Sequence, residues 1–144
     1  MISCTEFIPA YSELFKYLHQ KGGKQAVVTF WENLSDAFLD DLREAARERG
    51  LRGIFEHFSH TLTEEAADFR MTLDEENGVI DCTMRYCPSK GRLNQLEHIE
   101  PYEFYCEHCA LLYPRALEPL GFEYTIDLSQ TDNACCHAVI RRKS

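Results

Sequence analysis

Two short clusters hold most of the reactive side chains of this sequence. One is Tyr105-Cys106-Glu107-His108-Cys109 and the other is Cys135-Cys136-His137. Thiolate and imidazole suit two kinds of chemistry: holding a metal ion, or attacking an electrophile while moving protons. Cys106 and Cys109 are three residues apart. On a helix they would share a face, with about 5–6 Å between their Cβ atoms. A zinc ion could bridge two thiolates so spaced, although no second CxxC follows at a zinc-site interval. Cysteine is also among the most buried residue types, so the pair reads equally as core filling. His108 points off that stripe, toward surface or structural duty, and Glu107 is expected in solvent.

The remaining candidates are more dispersed. On a strand, Cys135 and Cys136 face opposite ways. Cys136 shares its face with Ala138 and Ile140, so it is the cysteine that could meet the helical pair inside the core. Cys135 and His137 take the other face, toward solvent. Cys82 sits among Ile80, Met84 and Tyr86 and reads as a packed thiol. Cys87 ends a strand just before Pro88, where sites tend to gather. His57 and His60, beside Glu56, have a spacing that suits a metal pair or an acid/base pair, without the HExxH arrangement of a zinc protease. His19, His98 and Cys4 have no neighbours in sequence that suggest a site. There is no phosphate-binding loop, no GxGxxG and no GxSxG elbow.

The elements that must position these groups change character midway. Tyr11, Leu14, Phe15 and Leu18 follow one helix face, and Gly22-Gly23 ends it. Val27, Phe30 and Trp31 belong to a second helical stretch. A third is expected from a Ser35 or Asp36 cap, with Phe38, Leu39, Leu42 and Ala46 inward and Gly50 as its stop. A shorter helix carries Ile54, Phe55, Phe58 and Leu62. From Asp68 the period becomes two: Phe69, Met71 and Leu73 alternate with polar residues. An Asp74–Gly78 turn follows, and then Ile80, Cys82, Met84 and Tyr86 alternate, predicting a β-hairpin. Residues 87–100 read as a polar connection. Glu100-Pro101 is expected to open a helix running to about Leu120, kinked or shortened by Pro114 and Pro119 and stopped by Gly121. Phe122, Tyr124, Ile126 and Leu128 then pair with Cys136, Ala138 and Ile140 in a second hairpin. The expected class is α+β in one domain, 1–144. Residues 1–67 form a mainly helical part. Residues 68–144 form a hairpin–helix–hairpin part whose four-stranded antiparallel sheet is covered by helices.

Composition narrows the function. The 144 residues are 44% hydrophobic and 27% charged, values of a folded globular chain. The net charge of -9 opposes binding to a phosphate backbone, so no nucleic-acid partner is expected. The one basic cluster, Arg141-Arg142-Lys143, reads as a solvated tail. No apolar run reaches the ~20 residues that span a bilayer. Met1 to Glu6 has no basic start and no apolar stretch, so a secretory signal is not expected. Seven cysteines without an export signal predict reduced thiols in a cytoplasmic protein.

The second half, about residues 68–141, resembles the L-2-amino-thiazoline-4-carboxylate hydrolases. The resemblance is carried by Tyr105-Cys106-Glu107-His108-Cys109, the helix end Glu118-Pro119-Leu120-Gly121-Phe122, the alternating strand, and the turn leading to Cys136. That family is in turn similar to four-vinyl-reductase-type small-molecule-binding domains. The resemblance implies a ligand pocket between helices and sheet and the opening of an aminothiazoline ring. Cys106 and Cys136 match the family's cysteines, whereas Cys109 and Cys135 have no counterpart in it.

Three readings follow. In the first, the chain is a hydrolase of a small cyclic C–N/C–S substrate, with Cys106 or Cys109 as nucleophile or ligand and His57, His60 or His108 assisting. Arg85 or Arg92 would then compensate an anionic substrate. In the second, Cys87, Cys106, Cys109 and Cys136, with His108, hold zinc or an iron–sulfur cluster in a non-catalytic ligand-sensing module. In the third, the cysteines are packed core thiols. The expected partner is a small molecule, with homodimerisation left open.

Overall fold

Two long helices lead the computed structural model, which describes residues 6–144; Cys4 lies outside them. They are α1 (Phe7–Phe38) and α2 (Asp40–Glu64). Each is broken by a glycine in a left-handed conformation, Gly23 at φ 73° and Gly50 at φ 60°. Only a residue without Cβ takes that geometry at little cost. The expected helix ends at these glycines are therefore breaks between consecutive helical segments. Across the Gly50 break the segments approach closely, since a Cβ on Gly53 would run into the carbonyl of Ala45. Neither Ser35 nor Asp36 caps a helix. Leu39 separates α1 from α2. Ser35 is fully buried, and its hydroxyl donates to the carbonyl of Leu112 at 2.8 Å. Phe38, Tyr11 and Leu14 face solvent rather than the core.

The strands are β1 (Asp68–Asp74), β2 (Val79–Tyr86), β3 (Phe122–Asp127) and β4 (Cys136–Arg142). They form one four-stranded sheet of order β1-β2-β4-β3, antiparallel throughout. The α+β class holds, with two hairpins joined edge to edge. The first hairpin turns on Asp74, whose carboxylate accepts the Asn77 backbone N–H at 3.0 Å and side-chain amide at 2.7 Å. Registers Ile80↔Ile140, Cys82↔Ala138 and Met84↔Cys136 line up one inner face. Period-two alternation sends Thr83, Thr125 and His137 to the exposed outer face.

Two expectations between the hairpins change. Residues 87–100 are not simply a connection, because Pro88–Gln95 forms helix α3 with proline in its first turn. The next helix, α4, spans Glu107–Leu117 and does not start at Pro101. The segment before it is held by α1 instead of by itself: the Tyr102 N–H donates to the Ser12 hydroxyl at 2.9 Å, and Lys16 Nζ donates to the Glu100 carbonyl at 3.0 Å. Pro114 sits within α4, and Pro119 is the middle residue of a 3-10 turn, Glu118–Leu120.

Helix α4 lies between α1 and the sheet. Tyr105, His108, Leu112 and Arg115 occupy the side toward α1, where Arg115 pairs with Asp36 at 2.8 Å and Glu32 at 3.2 Å. Cys109, Tyr113, Ala116 and Leu117 occupy the side toward the sheet. Two cores result. One is aromatic and gathers Phe15, Val27, Trp31, Leu93, Tyr102 and Tyr105. The other joins α2 and α4 to the inner sheet face. No helix among the described residues is long and apolar enough to cross a membrane.

Candidate functional site

Between α4, the end of α2 and the inner sheet face lies a cavity of about 210 Å³. All six cysteines of the described residues line it, and all are free thiols. Six different local reasons bring them there. Cys82 points inward from β2. Cys87 is the residue before α3, and its backbone N–H donates to the Ala134 carbonyl at 2.7 Å. That bond ties the end of β2 to the loop before β4. Cys106 is the N-cap residue of α4, with Cys109 in the following turn. Cys136 opens β4, opposite Met84.

Cys135 reaches both sides, lining the shallow outer-face groove beside Thr83, Asp127 and His137 as well as the cavity. It precedes the strand, so alternation does not govern it. Its single S–H has the Arg85 carbonyl at 3.1 Å and the Asn133 carbonyl at 3.3 Å as alternative acceptors.

His108 lies off the cysteine stripe, as expected, but it is partly buried and reaches the cavity. It is wedged among rings, 5.0 Å from Tyr105, 6.2 Å from Phe15 and 6.3 Å from Trp31 between centroids. Its Nδ1 bonds the Tyr105 carbonyl. A carbonyl only accepts, so Nδ1 carries the proton and Nε2 presents its lone pair. That lone pair faces Cys109 Sγ at 3.5 Å. Burial depresses the imidazole below its ordinary 6.5, against an opposing effect of the Tyr105 bond. The ring is therefore a neutral base at neutral pH.

The thiols are equally biased toward neutrality. Burial first, and then the Glu65 carboxylate, pushes Cys109 up to about 12. Burial and neighbouring thiols push Cys106 and Cys136 up to about 12, with the Lys90 charge opposing at Cys106. Burial and Asp81 push Cys82 up to about 11. Cys87 is raised chiefly by burial. Tyr105, Tyr113 and Tyr124 also line the cavity, and burial raises all three phenols, so they remain O–H donors. Among the described residues, neither the Tyr113 nor the Tyr124 hydroxyl has a hydrogen-bond partner. They are free to meet a ligand. Apolar walls come from Phe58, Leu62, Met71, Ile126 and Ile140.

Several expected site residues fall elsewhere. His57 and His60 are on α2 but do not line the cavity. His60 Nε2 pairs with Glu64 at 3.4 Å and is largely exposed. Of the three candidate assisting histidines, only His108 lines the cavity. Arg85 pairs with Asp68 at 3.1 Å, and neither Arg85 nor Arg92 lines the cavity. The cation that does is Lys90, on the first turn of α3, and it has no carboxylate partner among the described residues. Its signal in the sequence was only its nearness to Cys87. Cys87, Cys106, Cys109, Cys136 and His108 do share one cavity, as the metal reading requires. However, no group of three or more His, Cys, Asp or Glu side chains among the described residues is arranged to hold one ion. A structural zinc or iron–sulfur site needs three or four such ligands converging. These residues do not fit that group.

No family model, curated protein or solved structure matches the chain. Function must be read from the cavity.

Proposed function

We propose that the cavity binds a small, largely apolar molecule and that Cys109 attacks an electrophilic carbon in it. The activity would be that of a hydrolase opening a cyclic C–N/C–S substrate, as the resemblance of residues 68–141 implies. The observation that carries this reading is the 3.5 Å contact between Cys109 Sγ and His108 Nε2 within the cavity. Both partners rest uncharged. Burial makes a pre-formed thiolate costly, so the proton has to leave as the sulfur attacks. Nε2 accepts that proton and returns it to the departing ring heteroatom. Water then releases the carbon held on sulfur. The Tyr113 and Tyr124 hydroxyls are available to donate to the charge that builds up. The unpaired ammonium of Lys90 suits an anionic substituent.

The test is direct. 2-Aminothiazoline-4-carboxylate is incubated with the protein, and release of a new thiol is followed. Cys109→Ala and His108→Gln should abolish turnover while circular dichroism stays native. General-base removal of the thiol proton contributes on the order of 10²–10⁴-fold, and loss of the nucleophile removes more. Turnover should hold steady through neutrality and fall only in acid, below the ordinary histidine value of 6.5, where His108 gains its proton. A rate that climbs tenfold per pH unit toward about 12 would indicate a free thiolate and remove His108 from the mechanism. Full turnover by Cys109→Ala would overturn the proposal.

A further inference from the structure

The two cysteines of α4 are differently equipped. Cys106 is the N-cap residue, where the exposed backbone N–H groups favour an anion, and it faces the Lys90 charge. Cys109 lies one turn deeper, against His108 Nε2 at 3.5 Å. The turn joining them is tightened: the Cys109 N–H donates to the Cys106 carbonyl at 3.3 Å, a three-residue rather than a four-residue bond. Helical spacing puts such Cβ atoms about 5–6 Å apart, and a disulfide needs about 3.5–4.5 Å, so closure calls for a shift of roughly 1 Å. The chain before Cys106 is turn rather than helix, so it can supply that shift.

We propose that Cys106 and Cys109 form a reversible dithiol/disulfide couple in the cavity wall. The couple does not depend on whether Cys109 turns over a substrate. With a peroxide as oxidant, the Cys106 sulfur attacks one peroxide oxygen while its proton passes to the departing oxygen. The S–O bond forms, the O–O bond breaks, and water leaves, giving the sulfenic acid of Cys106. The Cys109 sulfur then attacks the Cys106 sulfur and hands its proton to His108 Nε2. The S–S bond forms, the S–O bond breaks, and the hydroxide departs as water with that proton. Two thiols lose two electrons in total, and one peroxide becomes two waters. An external dithiol reverses the change by thiol–disulfide exchange. The other pairings are less favourable. Adjacent Cys135 and Cys136 make a strained ring, and Cys82, Cys87 and Cys136 lie on separate elements.

The sequence makes the test clean. Trypsin cuts after Arg92 and Arg115, and the peptide 93–115 contains only Cys106 and Cys109. The full chain is treated with hydrogen peroxide, its remaining thiols are alkylated, and the digest is weighed. The expected result is a peptide 93–115 that has lost two hydrogens, takes no alkyl group, and recovers both sites after dithiothreitol. In Cys109→Ser the sulfenic acid has no partner, so dimedone should label Cys106. The couple is overturned if peptide 93–115 of the folded wild type stays alkylated at both cysteines after peroxide. It is equally overturned if the new disulfide joins any other pair. These wild-type readouts decide the matter even if a variant fails to fold.

Discussion

The two faces of α4 meet very different surroundings. Toward α1 the helix meets rings that fill space. Phe15 stands edge-on to Trp31 at 5.4 Å and to Tyr102 at 6.0 Å, and it lies 5.6 Å from Tyr105. Toward the sheet the same helix leaves about 210 Å³ unfilled, among thiols and phenols that burial keeps neutral. Aromatic burial with edge-to-face geometry is among the strongest contributions a small core can make. An unfilled, thiol-lined interior forgoes such contacts. If the proposed function holds, the contrast assigns stability to the first region and chemistry to the second. His108 is the seam: its ring packs among Phe15, Trp31 and Tyr105, while its Nε2 opens on Cys109. The ring-packed core thus fixes the imidazole that faces the hollow one.

The comparison breaks most visibly at Trp31, which is 1% exposed. Trp31→Ala should cost about 3–5 kcal/mol in urea unfolding, a large part of the about 5–15 kcal/mol that holds a domain together. A cost below about 1 kcal/mol would mean that the aromatic cluster is not the structural half. Ser12→Ala probes the same region through one bond. It leaves the Tyr102 N–H without its 2.9 Å acceptor in a fully buried place, and an orphaned donor costs about 1–3 kcal/mol. The cavity side should respond to pH instead. Burial pushes its thiols up to about 11 to 12, against an ordinary 9.0. Their contribution is complete below pH 9, where neither state has lost the protons. Above pH 9 the unfolded chain ionises first, so stability falls as pH rises. The slope is at most about 1.4 kcal/mol per pH unit for each such thiol, and less where the thiol is part-exposed. Cys109→Ala should flatten the alkaline limb by one thiol's share, whereas Ser12→Ala should leave its slope alone.

Much of this arrangement was legible before any coordinates. The alternation at 69–73, 80–86, 122–128 and 136–140 carries both hairpins, because side chains at period two must share a face. The left-handed glycines at 23 and 50 mark the helix breaks for a similarly local reason. What escaped was set by distant partners. Pro101 has the chemistry of a helix start, yet Ser12 and Lys16 on α1 take up the polar groups that would have begun one. The cysteine stripe alone does not say what His108 meets. Its own stripe, Tyr105, His108 and Leu112 at i, i+3 and i+7, is visible in the sequence and leads toward α1. A helix covered on two sides carries two such stripes. Lys90 became a cavity residue only because α3 formed where residues 87–100 looked like a connection. Ligand convergence, three donors around one point, depends on angles that no spacing encodes.

The finest test sits in the cavity floor. Ala138 is buried in the middle of β4, opposite Cys82 and Ile126, with its methyl on the cavity side. Ala138→Val adds two methyl groups where there is room, and a branched side chain suits a strand. If the hollow is kept for a ligand rather than for folding, filling it should raise stability by about 0.5–2 kcal/mol. It should also weaken binding or turnover of whatever the cavity accepts. Enlarging a residue in the ring-packed region should do the reverse, since overpacking a full core is destabilising. A drop in stability on Ala138→Val would mean that the cavity walls are already in contact when the protein is free in solution. The division of labour between the two faces of α4 would then be lost, because both would be ordinary core.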